Sequence, residues 1–289
     1  MYKMKNVFRI SDGLGNQLFQ YACAYSMYKK TGKEIILDPM YSGKLRTYQL
    51  EEFCIDFSKR FVNKRLDFIL GLGKRCSAPL KLWYRDKKIK VQKYSVIKEH
   101  KSMIYDDSIY DYDNGYFTGF WQSYKYFDEY YDDIKRQFQM KAELSAIATE
   151  YKKRMNETIS VSLHIRRTDY NRSVNNVCLK QDFYKMALDQ MKEKIGDLKL
   201  FIFTDDKEFA RERFHLCEYE LVEDVTDLEE FVLMQQCKHH IIANSTFSWW
   251  AAYLSENKGG VVFAPVADMW TEDFFLPQWN CVEAGLGNE

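Results

Sequence analysis

Apolar and polar positions along the chain follow two rhythms, one of strands and one of helices. Residues 6–10 form a short apolar run, Gly13 and Gly15 interrupt it, residues 16–30 carry apolar side chains at helical spacing up to Gly32, and residues 34–37 return to a strand pattern. This opening reads as a βαβ unit. From residue 40 to about 101 the pattern is irregular and predicts one helix, over 61–70; residues 115–119 read as a short strand before a tyrosine-rich helix over 124–138. The second half is more regular: strand 158–165, helix 182–195, strand 199–204, helices 208–214 and 227–236, strand 239–242, helix 246–255 and strand 260–263. Such alternation implies an α/β fold with a parallel sheet covered on both faces, in which ligands bind beyond the carboxyl ends of strands. The change of pattern near Asn156 divides the chain into domains 1–155 and 156–289, with the last residues a candidate to pack back on the first.

At 289 residues, 46% of them apolar, the chain has ample core for two domains. Forty-two basic residues balance forty-two acidic ones, which argues against a nucleic-acid partner that needs a broad positive field. Charge is uneven locally: residues 59–101 hold fourteen Lys and Arg against three acids, whereas 106–133 hold eight acids and one Lys. The basic stretch is a candidate contact for an anionic membrane surface or a lipid-diphosphate-linked acceptor, or else a solvated face. Seven cysteines without CxxC spacing suit reduced thiols in the cytosol rather than a disulfide framework or a zinc site. Neither a signal peptide nor an apolar run of 18 residues is visible, so no membrane span is expected.

Three polar clusters fall at predicted strand ends. The first is His164-Ile-Arg-Arg-Thr-Asp-Tyr170. Arginine binds diphosphate through two parallel charge-assisted bonds and does not deprotonate, and strand alternation turns His164 and Arg166 one way and Arg167 the other. Asp169 is placed to hold an arginine; the plain alternative is a surface ion-pair cluster. The second cluster, Thr204-Asp205-Asp206, reads either as a helix cap or as a carboxylate that accepts hydrogen bonds from a base such as guanine. In the third, Asn244-Ser245-Thr246 precede a helix whose free N–H groups can receive an anion, although the same residues are ordinary N-caps. Trp249 and Trp250 read as core. At the other end of the chain, Ser11-Asp-Gly-Leu-Gly-Asn-Gln17 lacks the third glycine of a dinucleotide fingerprint and the Gly-Lys-Ser/Thr of a P-loop. It presents Asp12, Asn16 and Gln17, polar groups suited to sugar hydroxyls.

Taken together and in this order, Gly13 to Ala22 (GLGNQLFQYA), HIRRTDY, Phe203 to Asp206 (FTDD) and Asn244 to Leu254 (NSTFSWWAAYL) closely resemble bacterial α-1,2-fucosyltransferases of glycosyltransferase family 11. The tyrosine after HIRRTD is similar to the α-1,2 group, whereas α-1,6 and nodulation fucosyltransferases usually carry lysine there. The resemblance implies a GT-B architecture: two Rossmann-like domains facing a crevice, GDP-fucose on the C-terminal half and the acceptor on the N-terminal half. It also implies inversion, with GDP-β-L-fucose giving an α-L-fucoside on O2 of a terminal β-galactose in O-antigen or another surface polysaccharide, and no cofactor or obligatory metal. Carried over, Arg166 binds the diphosphate, His164 sits beside the nucleoside, Asp205 or Asp206 reads guanine, and Ser245 and Thr246 complete the phosphate cradle. Family members commonly have glycine where this chain has Asp12, which makes that carboxylate a candidate base. The rival readings are an α-1,6- or protein O-fucosyltransferase and a nucleotide-sugar or glycan binder without turnover.

Overall fold

The computed structural model describes residues 5–39, 47–57, 83, 86–87, 89–90, 93–171, 178–266, 271 and 273–286. Contacts divide the chain into two units, Met1–Lys141 with Thr271–Phe274, and Ala142–Trp270 with Phe275–Glu289.

In the first unit, β1 (Lys5–Ile10) lies between β2 (Glu34–Pro39) and β4 (Gly115–Thr118), β3 (Ser95–Lys98) pairs the far side of β4, and every pairing is parallel. Burial of Val7, Phe8 and Ile10 explains the central place of β1. α1 (Leu14–Thr31) buries side chains all round, including Leu18, Phe19, Tyr21 and Met27, and ends at Gly32 in the left-handed region (φ 67°). The Gly32 N–H donates to the Tyr28 carbonyl at 2.8 Å, a C-cap that glycine makes without a Cβ penalty. β3 departs from the expectation, because exposed Ser95, Val96 and Lys98 give this edge strand no alternating signature. The tyrosine-rich helix also begins later than its spacing predicts. Two 3₁₀ turns, Tyr124–Tyr126 and Asp128–Tyr130, precede α2 (Tyr131–Gln137), since Ser123 caps the first turn and Tyr126 and Phe127 turn into an aromatic core. The helix predicted over 61–70 lies outside the described residues.

The second unit begins earlier than the pattern near Asn156 suggested. α3 (Ala146–Glu157) buries Ala148, Tyr151 and Met155 at helical spacing, and the Ser145 N–H at its start donates to Glu229 Oε1 at 2.8 Å. Glu229 belongs to α7 (Asp227–Gln236), whose Thr226 and Glu229 form a reciprocal capping box. The remaining elements are β5 (Ser160–Ile165), α4 (Thr168–Asn171), α5 (Gln181–Ile195), β6 (Lys199–Thr204), α6 (Lys207–Arg213), β7 (Glu220–Leu221), β8 (His239–Ile241), α8 (Thr246–Tyr253), β9 (Val262–Val266) and β10 (Asn280–Glu283). β10 pairs beside β9, so this last strand stays with the second unit and only Thr271–Phe274 joins the first.

All pairings of the second sheet are parallel, in the order β7-β6-β5-β8-β9-β10. In chain sequence this is the 3-2-1-4-5-6 order of a doubly wound fold, whose order reverses between β5 and β8. β5 is buried along its whole length. Its Val161, Leu163 and Ile165 meet Phe183, Tyr184, Ala187, Leu188 and Met191 of α5 in one core, and Ser160, Ser162 and His164 take the opposite face. Among the described residues no helix is long and apolar enough to cross a membrane.

Candidate functional site

The reversal between β5 and β8 brings the three polar clusters of the second unit to one sheet edge. Parallel register sets Ile165 against Thr204, so the residues that follow each strand lie side by side. β5 stops at Ile165, and strand alternation does not carry on into the arginines. Both instead meet the Asp205-Asp206 pair: Arg166 Nη1 lies 3.1 Å from Asp205 Oδ2, and Arg167 Nε lies 3.6 Å from Asp206 Oδ2. Asp205 also accepts from the Arg167 N–H at 2.9 Å and from Thr168 Oγ1 at 2.6 Å. One carboxylate therefore orients three successive residues. This is the arginine-holding part expected of Asp169, whose side chain lies outside the described residues. Asp206 caps α6 by accepting from the Phe209 N–H at 3.0 Å, and its own N–H donates to Thr204 Oγ1 at 3.0 Å. The Arg167 guanidinium lies 3.6 Å over the Phe209 ring.

Tyr170 joins the first cluster to the third. Its ring lies under the Arg166 guanidinium at 5.7 Å, and its hydroxyl donates to the Asn244 carbonyl at 2.8 Å. Ser245 caps α8 by accepting from the Phe247 N–H at 3.3 Å, so one oxygen of the expected phosphate cradle has a structural bond as well. Thr246 is the first residue of α8, while Trp249 and Trp250 are fully buried, in keeping with a packing role.

His164 is buried, with its ring 5.9 Å from that of Phe247, and its Nδ1 has no hydrogen-bond partner among the described residues. Burial first, and then the positive charge of Arg166, pull its pKa down to about 3. It is a neutral imidazole at physiological pH and brings no positive charge to an anion. On the same face, Ser162 Oγ and His240 Nδ1 are 2.8 Å apart, and burial lowers His240 to about 3 as well.

The carboxyl end of the first sheet has a different chemistry. Asp12 occupies the left-handed region (φ 67°), a conformation that glycine adopts freely and aspartate tolerates. Gln17 is buried, and its amide is committed to backbone: Nε2 donates to the carbonyls of Asp12 (2.7 Å) and Thr47 (2.8 Å), and Oε1 accepts from the Gln49 N–H (2.9 Å). Asn16 Oδ1 accepts from Gln122 Nε2 at 2.9 Å. Gln122 was not anticipated. The carboxyl-end rule, applied to the strand predicted at 115–119, would have pointed to the Phe-Trp-Gln that follows. Across the described residues, no group of three or more His, Cys, Asp or Glu side chains is placed to hold a metal ion, and Cys23, Cys54, Cys178, Cys217, Cys237 and Cys281 carry free thiols.

Comparison with known proteins identifies the family and the fold. The family model described as glycosyl transferase family 11 matches residues 6–283. The alpha-1,2-colitosyltransferase of Escherichia coli is 31% identical over 279 residues, 90% of this chain and 90% of that protein. The O-antigen biosynthesis glycosyltransferase WbnK of the same species is 28% identical over 285 residues, covering 89% and 92%. In fold, the chain is similar to the fucosyltransferase NodZ from Bradyrhizobium, with a TM-score of 0.51, 15% identity, and 88% of this chain and 93% of that one covered. The fold class is thus α/β of GT-B type with parallel sheets.

Proposed function

Because the chain belongs to glycosyl transferase family 11, we propose that it is an inverting α-1,2-fucosyltransferase that moves L-fucose from GDP-β-L-fucose to O2 of a terminal β-galactose in O-antigen assembly. The observation that carries this reading is Arg166. It stands at the reversal point of a doubly wound sheet, held by Asp205 on one side and Tyr170 on the other, with Tyr170 tied to the residue before the α8 N-terminal cap. A fixed guanidinium beside a helix N-terminus is preorganised for the charge that collects on a departing diphosphate while the sugar ring becomes cationic. Ser245 and Thr246 offer hydroxyl and N–H groups to the same phosphates, and Asn244 fixes the entry to that turn. His164, neutral and beside the α8 ring of Phe247, supports a nucleoside contact rather than a phosphate contact.

Asp205 is engaged by three donors of the arginine segment, whereas Asp206 Oδ2 has Arg167 at 3.6 Å as its neighbour. The guanine-reading part is therefore given to Asp206, with Thr204 holding its backbone. In the first unit, Asn16 contacts the acceptor, Gln17 fixes the turn, and Asp12 is the candidate base that takes the proton of the attacking hydroxyl. No cofactor or obligatory metal enters this scheme. The location is cytoplasmic, with the basic stretch 59–101, most of it outside the described residues, meeting anionic lipid or a lipid-diphosphate-linked acceptor. Flotation with anionic liposomes at low salt tests that contact, and loss of flotation in neutral liposomes is expected.

A second reading concerns the sugar. The E. coli relative is an alpha-1,2-colitosyltransferase, and colitose is fucose without the 3-hydroxyl. Kinetics with GDP-fucose and GDP-colitose on galactosyl disaccharides, with the product linkage read by NMR, test both. An α-1,2-fucoside is expected. A higher kcat/KM for GDP-colitose would reassign the donor, and no transfer to any galactoside would overturn the reading.

A further inference from the structure

Gly119 to Gln122, the turn that leaves β4, is held in an unusual shape. Trp121 occupies the left-handed region (φ 56°), uncommon for a bulky residue, and its ring is locked edge-on against Phe8, Phe117 and Tyr126 at centroid distances of 6.4, 6.1 and 6.2 Å. Backbone strain of this kind persists only where the surroundings over-determine it. Here Glu99 does so. Its Oε2 accepts from the Phe120 N–H at 2.8 Å and its Oε1 from the Trp121 N–H at 3.0 Å. A Cβ on Gly119 would stand 2.4 Å from Glu99 Cβ, so the carboxylate and the turn fit only with glycine there.

A second clamp joins this turn to the one that leaves β1. Gln20 Nε2 donates to the Gly119 carbonyl at 2.9 Å, and Gln20 Oε1 accepts from the Ser11 N–H at 2.8 Å. β1 and β4 are paired neighbours, so two adjacent carboxyl ends are bolted into one surface. At their junction sits Gln122, 6% exposed, with Nε2 bonded to Asn16 Oδ1 and with no bond among the described residues to Oε1. The bond to Asn16 fixes one end of the amide and leaves the other for a polar partner from outside the protein, water or a sugar hydroxyl.

We propose that Gln122, beside Asn16, is an acceptor-binding residue that hydrogen-bonds a ring hydroxyl of the galactoside, and that Glu99 is the positioning residue that aims it. The inference rests on the proposed transfer to galactosides and names the part of the first unit that reads the sugar. A neutral amide suits this role, because it offers a hydroxyl both a donor and an acceptor without attracting the anionic donor substrate.

The test uses the full chain, GDP-fucose and methyl β-galactoside with its 3-, 4- and 6-deoxy analogues. In Gln122→Met, of similar shape but without the amide, the acceptor KM is expected to rise about tenfold, as for one lost hydrogen bond to a sugar. GDP affinity by calorimetry should not move, which also shows that the variant is folded. One deoxy analogue should be a poor acceptor for the parent chain and should be discriminated no further by Gln122→Met. Gln122→Glu, which keeps an acceptor oxygen, should recover part of the loss. Glu99→Gln should raise the acceptor KM at unchanged donor KM while keeping the same deoxy preference. An unchanged acceptor KM in Gln122→Met, or equal deoxy penalties in both proteins, overturns the assignment alone. Failure of the parent chain to transfer fucose to any galactoside removes the assignment together with the reading beneath it.

Discussion

The two units end their central strands in opposite chemistries. Beyond β5, β6 and β8 the second unit gathers charge: two arginines, two aspartates and a helix N-terminus. Beyond β1 and β4 the first unit gathers amides: Asn16, Gln17, Gln20 and Gln122, bonded to one another and to backbone. The same strand-end architecture thus presents two chemistries, each suited to a different ligand class. Charge offsets its desolvation cost only where the ligand is itself charged, and neutral amides match sugar hydroxyls, which a guanidinium would exchange for any passing anion. The sharpest way to break this contrast is Arg166→Ala. Removing one preorganised donor from a developing charge lowers the rate by about 10² to 10³. Steady-state assays should show that loss in kcat with GDP-fucose, and near-normal turnover would end the assignment of charge stabilisation to the second unit.

The matching change in the first unit acts on stability instead. Gln17→Ala strips partners from the carbonyls of Asp12 and Thr47 and from the Gln49 N–H. Buried groups left without partners cost roughly 1–3 kcal/mol each, so a loss of about 3 kcal/mol is expected for the three, part of it recovered by water. Urea unfolding followed by tyrosine and tryptophan fluorescence measures it. GDP affinity should hold, and a variant that lost GDP binding while unfolding normally would blur the division of labour between the two ends.

What could be read in advance follows the same division. Strand 199–204 and helix 227–236 were legible residue for residue, because an uninterrupted apolar run and apolar positions at helical spacing are local signals. The arginines, the tandem aspartates and the Asn244 turn were legible as clusters for the same reason. Their connections were not. That Asp205 orients Arg166 depends on the β5–β6 register, and the residues it joins are distant in sequence. α3 was missed because its stripe of Ala148, Tyr151 and Met155 is narrow and set among exposed polar positions. Gln122 stayed hidden because a lone amide after an aromatic pair carries no local mark; only Asn16 across the sheet gives it meaning.

Acid should also separate the units. Folded His164 and His240 have pKa values near 3, against about 6.5 when unfolded, so below pH 6.5 the unfolded chain binds protons that the folded chain refuses. Their contribution is complete above that pH and falls as pH drops, by about 2 kcal/mol per histidine at pH 5. Glu99 has the reverse sign, since burial raises it and the folded first unit holds its proton more readily than the unfolded chain. Hydrogen exchange corrected for intrinsic rates should show peptides of β5 and β8 losing protection between pH 7 and 5 while those of β1 and β4 hold theirs. Equal loss in both units would contradict the comparison.

The smallest effect sits at Asp12, where conformation and chemistry overlap. A left-handed φ of 67° accounts for glycine at this position without any catalytic argument, since an L-residue there carries a local strain that glycine lacks. Asp12→Gly should therefore stabilise the chain by about 0.5 kcal/mol, the relief of strain being offset in part by the greater freedom of glycine in the unfolded state. Asp12→Asn keeps a side chain that tolerates the same backbone but cannot accept the proton of the attacking hydroxyl. If the carboxylate is the base, Asp12→Asn should lose the acidic limb of the kcat/KM profile, and Asp12→Gly should lose it equally despite being the more stable protein. If both variants keep the parent profile, the aspartate is a conformational substitute for glycine, and the proton is left to an oxygen of the departing diphosphate.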